Sequence, residues 1–143
     1  MGRVLALALA LLAAVACGET ESDYCEAVEE HQTELTEVLA QGGPTALLEA
    51  LPIFEDLAAQ APVDIRDEWD TVVDALRALE DALEAAGVDP ATYDSENPPP
   101  GLSATDRDRI EAAASNVADP KTAAALTGVD QQARDVCKTP LSL

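Results

Sequence analysis

The stretch Asp64–Gly87, DIRDEWDTVVDALRALEDALEAAG, decides the fold. Ile65, Trp69, Val72, Val73, Leu76, Leu79 and Leu83 recur at spacings of three and four, so they share one stripe of an α-helix with charged residues opposite. Asp64 is the expected N-cap and Gly87 the expected stop. A lone Trp69 on such a stripe belongs to a core rather than to a ligand-stacking face.

Outward from this helix the composition stays rich in Ala, Leu, Glu and Asp, with no alternating strand pattern and no internal repeat. Towards the N-terminus, a first helix is expected from a Ser22 cap to about Ala40, stopped by Gly42-Gly43. Its stripe holds Cys25, Val28, Leu35 and Leu39, interrupted by Gln32. A second helix begins at Pro44 and turns Leu47, Leu48 and Leu51 inward. Pro52 removes a backbone donor, which predicts a kink after Leu51 before Ile53, Phe54 and Leu57 continue the face to about Ala59. Towards the C-terminus, residues 87–102 (GVDPATYDSENPPPGL) carry no helical period. Ser103 then caps a helix with Asp106 as a near capping box and Ile110, Ala113, Ala114 and Val117 inward. Asp119-Pro120 opens the last helix, which Gly128 is expected to interrupt, with Val129, Ala133, Val136 and Cys137 inward and Pro140 as the stop. The fold class is all-α, a small bundle of four to five helices.

The chain of 143 residues is one domain at most and opens with Met1-Gly2-Arg3 followed by thirteen apolar residues. One positive charge, a short apolar run and small residues at its end are the plan of a secretory signal peptide, and the run is too short to span a bilayer. Ala14-Val15-Ala16 followed by Cys17 resembles the bacterial lipobox, with Ala14 where Leu is more usual. An ordinary signal peptidase and the lipoprotein route cut the same bond, after Ala16. The expected organisation is a signal peptide over 1–16, a lipidated tether over 17–23 and a helical domain over 24–143.

Cysteine count bears on that choice. An exported chain with three cysteines leaves one unpaired, a liability in an oxidising compartment. If Cys17 carries lipid, Cys25 and Cys137 remain and can pair. The competing readings are a free Cys17 or a Cys17–Cys137 bridge with Cys25 left over. A Cys25–Cys137 bridge would join the first helix to the last, whose ends fall at opposite poles if five helices simply alternate. Parity then has to be broken once. The preferred device is a crossover by the 16-residue loop 87–102, which can span about 50 Å at the rise of polyproline II. The alternatives are a hairpin at Pro52, or the last two helices forming one bent unit.

Residues 17–143 hold 7 basic and 28 acidic side chains, a net charge of −21. That excludes nucleic acid as a partner and repels the body from anionic headgroups. Eight acids lie between Glu19 and Glu37 without a Lys or Arg, which reads as a solvated face. One histidine, His31, is present, and no nucleophile-elbow motif. His31 and Glu34 stand one helical turn apart and resemble the H-x-x-E element of some periplasmic iron-handling proteins. A transition-metal site needs further ligands, so they are weak candidates, and neither a metal nor another cofactor is expected. Asp89, Asp94, Glu96 and Asn97 are Ca²⁺-type ligands without EF-hand spacing. Four aromatics are too few for a sugar site, and no carboxylate pair stands out, so no enzyme is expected.

AVAC, YCEAVEEHQ, ALPIFEDLAAQAP, EWDTVVDAL, GVDPATYD, PPPGLS and GVDQQARDVCKTPL together resemble a set of small actinobacterial envelope lipoproteins with no assigned activity. The resemblance covers nearly the whole chain after the signal segment and implies location and a helical fold, with no functional residues carried over. The expected role is a non-enzymatic interaction module on the extracytoplasmic face of the bacterial cell membrane. Cys17 would hold it there through lipid, and an envelope protein or the wall would be its partner. The alternative is a lipoprotein that binds a small ligand or cation.

Overall fold

The computed structural model describes residues 16–42 and 45–143, with side chains from residue 21 onward. Residues 1–15 of the expected signal segment, the Cys17 side chain, Gly43 and Pro44 lie outside the described residues. The elements are α1 (Ala16–Gln41), α2 (Ala46–Glu49), α3 (Leu51–Gln60), α4 (Arg66–Ala85), α5 (Ala104–Val117), α6 (Pro120–Gln132) and a π-helical turn (Ala133–Cys137). No strand occurs among the described residues.

The helix that decides the fold forms as its stripe predicts, with Trp69, Val72, Val73, Leu76 and Leu83 buried. Its start differs from expectation. Ile65, not Asp64, occupies the cap position, and its N–H bonds back to the Pro62 carbonyl at 3.2 Å. Burying Ile65 at 7 % exposure sets the angle of entry and leaves Asp64 outside the helix. The far end closes as a Schellman motif. Gly87 takes φ 65°, its N–H donates to Glu84 O at 2.9 Å, and Val88 N–H donates to Leu83 O at 3.0 Å.

α1 also differs at its start. It runs without a break from Ala16 through Ser22, which is exposed and caps nothing, so the expected tether 17–23 is helical. Glu19 and Glu21 are good helix formers, and acidic side chains suit the N-terminal end of a helix. The break in the second predicted helix falls one residue earlier than expected, at Ala50. Pro52 then lies in the first turn of α3, where a missing N–H costs nothing. Ser103 and Asp119 cap as predicted: Ser103 Oγ accepts from Asp106 N–H at 3.0 Å, and Asp119 Oδ1 accepts from Lys121 N–H at 2.8 Å.

The expected crossover does not occur. Leu102, at the end of the loop, packs on the same cluster as Ala86 and Val88 at its start, so the chain returns at the pole it left. Ile110 and Ala113 of α5 pack on Ala82 and Leu83 in the upper half of α4. Asn116, Asp119 and Lys121 lie beside Asp70 and Asp74, and Gly128 of α6 faces the Glu68 side chain. α5 and α6 therefore run antiparallel to α4 one after the other, as one leg bent at Asp119-Pro120. Parity is broken there, and the six α-helices of the described residues make four legs: α1, α2 with α3, α4, and α5 with α6. Gly128 does not interrupt α6. The π turn that follows is wider than an α turn and shifts the register, so Cys137 faces inward while Val136 is 38 % exposed, against expectation.

Cys25 and Cys137, 112 residues apart, are bridged with their Cα atoms at 5.1 Å. Beside the bridge sits the centre of the core. Tyr24 and Trp69 are both 0 % exposed, and Trp69 Nε1–H donates to Tyr24 Oη at 3.1 Å. The Phe54 ring lies 5.7 Å from that of Trp69, centroid to centroid, in a tilted arrangement. The last residues strap this end: Gln32 Nε2 donates to Pro140 O at 2.8 Å, and Leu141 is buried.

Two outcomes test this core. Cys137→Ser removes a loop constraint worth about 4.7 kcal/mol in the chain-entropy model, and less once strain and residual structure intervene. At roughly 4 °C per kcal/mol for a chain of this size, the melting temperature should fall by about 10–20 °C under oxidising conditions. An unchanged melting temperature would show that the bridge adds nothing. Tyr24→Phe orphans the Trp69 N–H and should cost about 1–3 kcal/mol in denaturant titrations. Burial pushes the Tyr24 phenol up, the Trp69 hydrogen bond opposes this, and the Asp64 charge adds to it. A raised folded value means stability that is full below the ordinary tyrosine range and is lost as pH rises through it. Stability should therefore decline above about pH 10, and the decline should be shallower in Tyr24→Phe; equal slopes would contradict the assignment.

Candidate functional site

α2 stops after one turn, too short to cover the leucines it carries. Leu47 and Leu48 remain half-buried at the pole opposite the disulfide. α4 brings Leu79 and Leu83 to the same place, and α5 brings Ile110 and Val117. The loop 87–102 folds back over this end and sets Tyr93 against the cluster. Between them lies an open groove of about 620 Å³ with an apolar floor. That volume falls in the range of small-molecule sites.

Thr45, Asp94 and Ser95 add polar groups to the lining, and among the described residues Asp94 is the one formally charged side chain there. Its Oδ1 accepts the backbone N–H groups of Glu96 at 2.8 Å and Asn97 at 3.3 Å. Its Oδ2 accepts Asn97 Nδ2 at 3.0 Å. The Asn97 amide and the Glu96 N–H hold the Asp94 carboxyl below the usual carboxylate range, so it is ionised at neutral pH in a fixed position. Asp89 is similarly engaged, its Oδ1 accepting Ala91 N–H at 2.9 Å. These acids shape the loop.

His31 does not pair with Glu34. Its Nε2 lies 2.8 Å from Asp56 Oδ2, which also accepts Gln60 Nε2 at 3.1 Å. The partner comes from α3, 25 residues away, and Glu34 is exposed. The His31 and Asp56 side chains are 22 % and 52 % exposed, and a pair this open contributes at most about 1 kcal/mol. Among the described residues, no group of three or more His, Cys, Asp or Glu side chains could hold a metal ion. A second furrow, between α4 and α6, is acidic: Asp67, Glu68 and Asp70 line it with Lys121 and the small residues Ala124, Ala125 and Gly128.

Of the residues singled out in the sequence, Cys25 and Cys137 are brought together at one pole, half-buried among the acids of α1. Trp69 lies in the core, and His31 sits on an open face between α1 and α3. The groove was not anticipated. Its signal was present in Leu47-Leu48, which Pro52 confines to a short helix, and in Tyr93 amid polar loop residues. No helix among the described residues is long and apolar enough to cross a membrane. Comparison with protein families, curated proteins and solved structures returns no match to this chain.

Proposed function

We propose that this chain is a non-enzymatic binding module of the bacterial envelope, held on the extracytoplasmic face of the cell membrane by lipid on Cys17. The resemblance to small actinobacterial lipoproteins and the lipobox-like AVAC support the anchor. So does the pairing of Cys25 with Cys137, which leaves Cys17 as the third cysteine. Two acyl chains, at about 0.8 kcal/mol per buried methylene, give stable membrane attachment.

One observation carries the binding role: the apolar groove lies at the pole opposite the Cys25–Cys137 bridge. Cys17 precedes Cys25 by eight residues in the same helix, about 12 Å of rise, so anchor and bridge share one end of the molecule. The groove end faces away from the membrane and meets whatever the envelope presents. A catalytic role has less support. Among the described residues, the hydrogen-bond partner of the His31 imidazole is the Asp56 carboxylate rather than a hydroxyl or thiol. The reading as a small-ligand lipoprotein is favoured by the groove itself.

Expression in a bacterium with cell fractionation tests the proposal. The full chain should enter the membrane fraction, leave it only with detergent, and yield an N-terminal peptide carrying a diacylglyceryl mass on Cys17. Cys17→Ala should be released. Photo-crosslinking residues placed at Ala118, beside the groove, should capture an envelope component that the same residue at Glu26 does not. A soluble wild-type chain would overturn the anchor, and equal capture from both positions would overturn the polar arrangement.

A further inference from the structure

We propose that the groove binds a small amphiphilic cation, with its apolar body against Leu79, Leu83 and Ile110 and its ammonium group at the Asp94 carboxylate. The proposal rests on reading the groove pole as the recognition face, and it names the ligand class.

Charge complementarity decides the class. The floor is supplied by α2, α4 and α5 and is leucine, isoleucine and valine, so only an apolar body gains by entering it. Among the described residues, Asp94 is the one formal charge lining the groove, and no Lys or Arg lines it. Three donors of its own loop already hold that carboxylate in place, so a cation meets it without further ordering. A carboxylate has about four acceptor sites and three are used, which leaves room for one more donor or for an ion pair. Tyr93 adds an aromatic wall beside Asp94, and aromatic rings attract ammonium groups. Arg107 lines the adjoining hollow with Tyr93 and Ser95, where Glu111 lies as well. At longer range the chain's net charge of −20 draws cations in and repels anionic amphiphiles. A volume near 620 Å³ accommodates a short alkyl chain or a small ring system and its headgroup.

The test compares three probes sharing one tail, octyltrimethylammonium, octyl glucoside and octyl sulfate, at submicellar concentration. Calorimetry would use the exported chain carrying Cys17→Ser. The ammonium should saturate one site per chain and bind about tenfold more tightly than the glucoside, with the sulfate weakest. Asp94→Asn should weaken the ammonium about fivefold, as expected for one exposed charge pair, and leave the glucoside unchanged. Methyl shifts in NMR spectra should change at Leu47, Leu79, Leu83, Ile110 and Val117. Equal affinity for the sulfate, indifference to Asp94→Asn, shifts elsewhere or unsaturable uptake would each overturn the proposal. Capture from Ala118 with no octyl probe binding would remove the ligand class and keep the recognition face. Saturable ammonium binding with equal capture at both poles would do the reverse.

Discussion

The Cys25–Cys137 bridge joins the first leg of the bundle to the last, and most of the architecture follows from it. Two residues so linked must share a pole, so the number of legs between them is even. A chain with a third predicted helix of 20 residues and shorter ones after it meets that demand by laying two helices end to end along one partner. α5 takes the upper half of α4 and α6 the lower. The Asp119-Pro120 joint supplies the bend, with proline at the helix position that does not require its N–H. The same arrangement divides the apolar interior. The larger cluster surrounds Trp69 near the bridge, and the smaller one, around Ala82, Leu83, Ile110 and Ala113, lies at the loop pole.

A chain with a net charge of −20 opposes its own compaction, and few ion pairs among the described residues offset this. In the pairs of Arg77 with Glu55 and Arg134 with Asp130 the arginines are exposed and the carboxylates only half-buried, which limits their value. Apolar burial, the aromatic group of Tyr24, Phe54 and Trp69, and the covalent bridge hold the fold against self-repulsion. The acids are spread over outward faces, and among the described residues no charged side chain is buried.

The helical class, the stripe from Trp69 to Leu83, and the Ser103 and Asp119 caps were legible because each depends on residues within one or two turns. What escaped depends on distance. Asp56 reaches His31 from another helix, and no local pattern encodes that meeting. The path of the loop 87–102 was misread because chain reach sets only an upper bound: a segment able to span 50 Å can equally fold back. Asp64 looked like a cap, but the burial of Ile65 placed the helix start one residue later. Val136 belonged to an α-helical stripe until the π turn rotated it outward. The groove escaped for a related reason. Leu47 and Leu48 read as core by periodicity, yet a single-turn helix cannot bring enough neighbours to cover them.

The split interior also makes this a molecule with one hard end and one soft end. The covalent link, the aromatic centre and the C-terminal strap all act near the bridge, whereas the loop pole is held by four buried side chains and a set of half-buried ones. Opening should cost least where the smaller cluster lies and most beside Trp69, so amide protection within α4 should rise from Ala85 towards Trp69, where the first helical N–H bond of α4 lies. The groove occupies the soft end. An occupant would add the contacts that this end lacks and even out the gradient, so that binding there would be felt as stiffening rather than as a change of shape.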